Sequence, residues 1–270
     1  MLDQEGATTR VLVPLDGSVS ARHALDPAVR IARMLQVPMD LVSVHEPING
    51  HWADNLDEIA ADIPYDQVDV ELVAGGRPGN VISAMVAEQP GTLLCMSAMR
   101  RDEFDRIVLG SVSSEMLRSS TSPVLFAGAG YMPSHEPQQS YDGLVVCLDG
   151  SSRADTALRV AGGWARTLGL HVELVRVAPS TAESDEIDEI DDLLAHRART
   201  LTAENIGTTT TVLHGDDPAA TIAELLQSRP GSLALTATHG RTGLARILLG
   251  SVTAELLNRS PTPLVVVRSM

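Results

Sequence analysis

Arg106 to Phe126 reads RIVLGSVSSEMLRSSTSPVLF, and Arg246 to Val266 reads RILLGSVTAELLNRSPTPLVV. In each, a Gly-Ser pair opens a helical segment, and a Ser/Thr-Pro turn then leads into a short aliphatic run. Gly110 and Gly250 are 140 positions apart, as are Gly75 of GGRPG and Gly215 of GDDPA. Near each start, VLVPLDGS (Val11 to Ser18) matches LVVCLDGS (Leu144 to Ser151), with Asp16 and Asp149 133 positions apart. One insertion of seven residues before Gly215 reconciles the offsets, and the acidic stretch Glu183 to Asp192 is where it is expected. The chain is a tandem duplication.

Within each copy, short apolar runs alternate with segments of helical period. The strands expected in the first copy are Arg10 to Leu15, Met39 to His45, Val68 to Val73, Thr92 to Ser97 and Val124 to Ala127. In the second they are Gly143 to Leu148, His171 to Val177, Thr209 to His214, Ser232 to Thr236 and Leu264 to Arg268. Helices are expected over Ala21 to Leu35 and Ala154 to Leu168, after Pro78 and Pro218, and after Gly110 and Gly250. Near-continuous apolar strands between helices imply parallel sheets covered on both faces. Right-handed crossovers make the fold class α/β, two tandem doubly wound parallel five-stranded sheets of Rossmann-like type. Ligands on such sheets bind beyond the carboxyl ends of the strands at the switch point, so the loops after strands one, two and four matter most. Gly128 to Asp142, GAGYMPSHEPQQSYD, has no period. It divides a first domain (residues 1–128) from a second (143–270), with 129–142 as linker.

At 270 residues, the length suits two domains at ~150 residues each. Hydrophobic residues make up 44% and aromatics only 3%, so the cores must be aliphatic. The 35 acidic and 20 basic residues give a net charge of −15, which repels phosphate backbones and argues against nucleic acid as a partner. A local anion site built from backbone amides is unaffected by that balance. The two cysteines cannot form a disulfide framework. No apolar run reaches the ~18 residues of a membrane span, and the start MLDQEGATTR does not read as a signal peptide. A soluble, cytoplasmic protein with no membrane partner is expected.

The densest chemistry follows the fourth strand of the second copy. Ala237-Thr238-His239-Gly240 is followed by nine residues and then Gly250-Ser251-Val252-Thr253. A helix starting near Ser251 offers free amides and a positive dipole end to an anion. Gly250 permits close approach of a phosphate, and the hydroxyls of Ser251 and Thr253 can donate to it. The plainer alternative is that Ser251 caps its helix and Gly250 punctuates a turn. No Gly-Lys-Ser/Thr of the P-loop type is present.

This spacing resembles the nucleotide-binding signature of the universal stress protein family, Gly-x2-Gly-x9-Gly-Ser/Thr, and the likeness runs through both copies. It includes the first strand ending in Asp-Gly-Ser, the Gly-x-x-Pro turn before the third helix, and the Ser-x-x-Pro or Thr-Pro lead into the last strand. The resemblance implies strand order 3-2-1-4-5 and a stress-response regulatory protein that binds ATP, with magnesium as companion of the triphosphate. It implies that Asp149 and Asp16 hold sugar or base, and that Val177 and Val44, ending strand two, contact adenine. It implies that Gly240, Gly250, Ser251, Val252 and Thr253 hold phosphates. The cofactor-binding set of the second copy is completed by Leu148, Thr236, Ala237, His239 and Arg241, and that of the first consists of Asp16, Val44, Gly110, Ser111, Val112 and Ser113. Ala237 stands where the family pattern has its first glycine. The first copy reads Ser97-Ala98-Met99-Arg100 there and has lost both leading glycines. Between positions 240 and 250, Arg241 and Arg246 face no acid, whereas Arg100, Arg101 and Arg106 are offset by Asp102, Glu103 and Asp105. The second copy is the better anion trap.

Other candidates have plainer readings. Asp16 and Asp149 also suit strand-to-helix turns, and Asp216 and Asp217 before Pro218 suit a helix cap. Cys95 and Cys147, on apolar strands, read as buried thiols. The eight histidines form no close pair, so no metal site is expected. Ile187, Ile190 and Leu194 mark the acidic stretch as a solvated helix face rather than a calcium loop. No general base or lysine clamp stands beside the phosphate loop, so a weak ATPase has less support than a binding protein. An interaction protein with vestigial sites is the other alternative. The last strands, Val124 to Phe126 and Leu264 to Val267, would be exposed apolar edges if the order is 3-2-1-4-5. They are expected to pair antiparallel in an internal pseudo-dimer, with a further homodimer needing another surface.

Overall fold

Val11, Leu12 and Val13 are all fully buried on consecutive positions, so the first strand has no solvent face, as in a parallel sheet covered on both sides. The structure, a computed structural model, describes residues 7–45, 51–100, 107–120, 122–133, 140–238 and 249–268. The first half comprises β1 (Arg10–Pro14), a 3-10 turn (Ala21–Ala24) running into α1 (Leu25–Leu35), β2 (Met39–His45), α2 (His51–Asp62), β3 (Val68–Ala74), α3 (Pro78–Glu88) and β4 (Thr92–Ser97). It continues with two short strands, β5 (Met99–Arg100) and β6 (Ile107–Val108), then α4 (Ser111–Ser119) and β7 (Val124–Ala127). The second half comprises β8 (Gly143–Cys147), α5 (Asp155–Leu168), β9 (His171–Ala178), α6 (Ser184–Ala203), β10 (Thr208–His214), α7 (Pro218–Gln227), β11 (Ser232–Thr238), α8 (Ser251–Arg259) and β12 (Leu264–Arg268).

Each half has the expected order 3-2-1-4-5, but the two sheets are fused into one of ten strands, β10-β9-β8-β11-β12-β7-β4-β1-β2-β3. Within this ten-stranded sheet every pairing inside a half is parallel. The seam is antiparallel, with Leu264 opposite Phe126, Val265 opposite Leu125 and Val266 opposite Val124. The expected edge pairing is therefore present. One face of the sheet packs under α1, α2, α5 and α6, and the other under α3, α4, α7 and α8. Both cores run across the seam, through Leu125 and Val265 on one side and Phe126 and Val266 on the other.

The seven-residue insertion is visible as helix length. The strands β2 and β9 keep the offset of 133 at Val44 and Val177, while β3 and β10 stand 140 apart at Val68 and Thr208. Between them α2 has 12 residues and α6 has 20. Seven residues are close to two turns at 3.6 per turn, so the helix lengthens without rotating its buried face. Ile190 and Leu194 are buried on that face, as expected.

The linker is not a free tether at its ends. The Ala129 amide donates to the Leu257 carbonyl at 2.8 Å. A Cβ on Gly130 would lie 2.7 Å from the backbone of Arg259, so only glycine lets the chain pass the end of α8. Tyr131 donates its hydroxyl to Asp26, and the Arg30 guanidinium stacks on the Tyr141 ring at 3.9 Å. The Trp164 indole of α5 donates to Thr8 at 3.1 Å, tying the second half to the start of the first.

Leu125 and Val265 face each other with no exposed surface. A Leu125→Asp or Val265→Asp variant should lose at least about 3 kcal/mol of stability and become more readily cut within residues 129–142. Thermal unfolding and limited proteolysis provide the check, and wild-type behaviour in both variants would contradict a stabilising seam.

Candidate functional site

The carboxyl ends of β8, β9 and β11 meet at one corner of the second domain. Cys147 at the end of β8 registers with Val175 and Thr236, and the Leu148 amide donates to the Val175 carbonyl at 2.8 Å. Leu148 is buried and closes the strand, and Asp149 is the first exposed residue past it. The Asp149 carboxylate accepts from the Ser151 amide at 2.9 Å and the Ser151 hydroxyl at 2.6 Å. This is an Asx turn, and it holds the side chain at the mouth of the strand. Val177 lies in the same corner, although β9 runs on to Ala178, so Val177 is the penultimate strand residue rather than the last. Thr236 and Ala237 sit two and one residues before the end of β11 at Thr238.

Two arginines not anticipated in the sequence support this corner. Gly150 has φ +85°, and a Cβ there would lie 2.6 Å from the Arg176 guanidinium, which packs over the turn. A side chain at Gly150 is thus opposed twice, by conformation and by Arg176. Arg197 of α6 donates to Asp155 at 2.7 Å and to the Ser151 carbonyl at 3.3 Å, fixing the far end of the turn. The sequence carries a signal for Arg176, a charged residue interrupting an apolar strand next to its end, but only the fold brings it against Gly150.

The α8 N-terminus completes the corner. Gly250, not Ser251, is the N-cap, and among the described residues no side chain caps the helix amides. Ser251 is the first helical residue, so the reading of Ser251 as a cap does not hold. A Cβ on Gly250 would meet no described atom within 4 Å, and its φ of −60° is ordinary for any residue. Neither local strain nor packing among the described residues requires glycine there. Ser251 is exposed and Val252 half-buried, whereas Thr253 is 4% exposed and turns toward the core. His239, Gly240 and Arg241 lie outside the described residues.

The first domain repeats the framework. Asp16 accepts from the Ser18 amide and hydroxyl at 3.0 and 2.6 Å, Gly17 has φ +88°, and Gly110 caps α4 without a side-chain bond. Ser111 is exposed, Val112 half-buried and Ser113 buried, as in the second copy. Val44 again precedes the last strand residue, His45. The difference lies in the loop, where β5 and β6 pair antiparallel, Met99 opposite Val108 and Arg100 opposite Ile107. At the rim of the second site, Asp217 caps α7 through the Ala220 amide at 3.1 Å, and Asp216 accepts from the Ser180 amide at 3.0 Å. Among the described residues no group of three His, Cys, Asp or Glu side chains could hold a metal ion, and no helix is long and apolar enough to cross a membrane.

This framework can be compared with known proteins. The model of the Universal stress protein family matches twice, over residues 7–127 and 140–268. A universal stress protein of Mycobacterium tuberculosis is 26% identical over 290 aligned positions, covering 96% of each chain. A second universal stress protein of that organism is 25% identical with the same coverage. Among solved structures, a universal stress protein from Archaeoglobus fulgidus superposes with a TM-score of 0.71 at 20% identity, covering 97% of this chain and 98% of that one.

Cys147 lies beside this corner but is buried. Burial and the nearby Glu173 carboxylate push its thiol up to about 12 from 9.0, and burial alone pushes Cys95 up further. Both thiols should therefore fail to react with a disulfide reagent at pH 8 until the chain unfolds. Well below pH 9 they are protonated in both folded and unfolded chains and leave stability unchanged. Above it the unfolded chain releases their protons first, so the unfolding free energy read from urea titration should fall by up to about 1.4 kcal/mol per pH unit per thiol. Rapid native labelling would contradict this.

Proposed function

The chain belongs to the universal stress protein family, and from that premise we propose that its second domain binds an adenine nucleotide, ATP, across the carboxyl ends of β8, β9 and β11. The observation that carries this reading is Gly250. The described fold has no steric or conformational need for glycine there, yet the position opens onto uncapped helix amides. Close approach of a ligand phosphate supplies the missing reason. In this reading Asp149, presented by its turn, accepts from sugar or base, and Val177 and Leu148 line the base. Ser251 and the first amides of α8 take the phosphates, together with His239, Gly240 and Arg241 of the loop. Thr236 and Ala237 form the floor, and Thr253 supports α8 from its buried side. Magnesium would enter as companion of the triphosphate, through phosphate oxygens.

The first domain, with Asp16, Val44, Gly110, Ser111, Val112 and Ser113, is the weaker or empty site. Arg100 replaces the loop glycine, and its strand pairs back on β6. A cytoplasmic regulatory role in stress follows from this reading, with nucleotide occupancy as the signal.

Mass spectrometry of small molecules released from freshly purified protein should find an adenine nucleotide, and calorimetry should give one strong ATP site per chain. Two sites of matching affinity would contradict the asymmetry. Gly250→Asp separates binding from folding. An N-cap aspartate accepts from the same amides, so the melting temperature should hold or rise. ATP affinity should fall at least tenfold, about 1.4 kcal/mol, because the carboxylate displaces and repels phosphate. Unchanged affinity in this variant would remove the site assignment.

A further inference from the structure

Away from the nucleotide corner, α1 and α2 enclose a groove of about 310 Å³, at the small end of ligand sites, which run ~300–1,000 Å³. Leu25, Val29, Ile59 and Ile63 give it an aliphatic floor, and Arg22, Arg30 and Arg33 stand around it. Arg30 is occupied, stacked on Tyr141 and bonded to the Ser140 carbonyl at 3.1 Å. Arg22 donates to Asn55 at 2.9 Å, but its Nε is buried without a hydrogen-bond partner among the described residues. The Arg33 guanidinium makes no hydrogen bond or ion pair with any described residue. Of the two carboxylates in the groove, Asp26 accepts from Tyr131, and Asp62 leaves the lining with three cations against two anions, a balance of +1.

The duplication indicates what such a cation binds. At an offset of 133, Arg33 corresponds to Arg166 of α5, and Arg166 is ion-paired with Glu204 just past the end of α6. At an offset of 140, Glu204 corresponds to Pro64, which lines the groove. The second domain thus supplies from its own chain the carboxylate that the first domain lacks. There the first domain has a guanidinium, an apolar floor and open volume instead.

We propose that the α1–α2 groove of the first domain binds a small apolar monocarboxylic acid. Its carboxylate would meet Arg33 where Glu204 meets Arg166, and its hydrocarbon body would lie on Val29 and Ile59. A carboxylate matches the planar guanidinium fork, and a single negative charge matches the balance of +1. A dianionic phosphate would leave charge uncompensated beside Asp62.

Octanoate and its uncharged counterpart 1-octanol serve as probes, titrated calorimetrically into the full chain with ATP present throughout. Octanoate should bind once per chain, about tenfold more tightly than octanol. Arg33→Glu, at a half-buried position with no side-chain partner among the described residues, should weaken octanoate about tenfold without lowering the melting temperature. Pro64→Glu rebuilds the pair of the second domain and should abolish octanoate binding while octanol is little affected. No saturable octanoate binding, equal affinity for octanol, or indifference to both substitutions would each overturn the proposal.

Discussion

The antiparallel pairing of β7 with β12 sets the geometry of everything else. Each half is a parallel sheet, so an antiparallel join makes every strand of one half run opposite to every strand of the other. Their carboxyl ends therefore lie along opposite margins of the ten-stranded sheet. The corner at Asp149 and the corner at Asp16 face away from each other and cannot share a ligand. The join also removes two apolar edges that would otherwise template association. The remaining edges are β3 and β10, and β3 sets the exposed acids Asp69 and Glu71 along its length.

The two corners use the same physics with different degrees of completion. In both, an aspartate at the end of the first strand closes its own turn on a serine two residues on, at nearly identical distances. In both, a helix begins at a glycine whose following amides no described side chain caps. An orphan amide at an exposed helix start is satisfied by water or by a ligand, and a positive helix end makes an anion the preferred occupant. The supports differ more than the corners. Arg176 and Arg197 brace the second turn, whereas Ser43 and the Arg22–Asn55 contact stand in the comparable places of the first.

Most of the fold was legible because a parallel strand buried on both faces leaves an unbroken apolar run, and because each run occurs twice. The seam was legible for the same reason, since β7 and β12 carry apolar residues on both faces with nothing to blunt an edge. The helix α2 was not anticipated, although Leu56, Ile59 and Ile63 fall at helical spacing, because the acidic residues between them dilute the stripe. The β5–β6 ribbon, two residues on each side, is too short to leave a period. Of the site, the turn aspartates and helix-start glycines could be read locally. Arg176 over Gly150, the docked linker and the unpaired Arg33 depend on residues far apart in sequence, and such contacts leave no pattern along the chain. The depth of Thr253 depends on which face of α8 the sheet covers.

Covalent linkage of the two halves has a consequence for how the molecule can change over time. In an assembly of two identical subunits, every substitution appears twice, so an alteration that improves one copy of a loop must be tolerated in the other. Here the seam forms between different residues of a single chain, and its strength does not depend on protein concentration. The halves can therefore drift apart while their junction is maintained. The amino acids at 98–106 have diverged from those at 238–246, and Pro64 has parted from Glu204. Neither departure imposes a matching change across the join, so one chain can keep an inherited site in one half while exploring another chemistry in its twin.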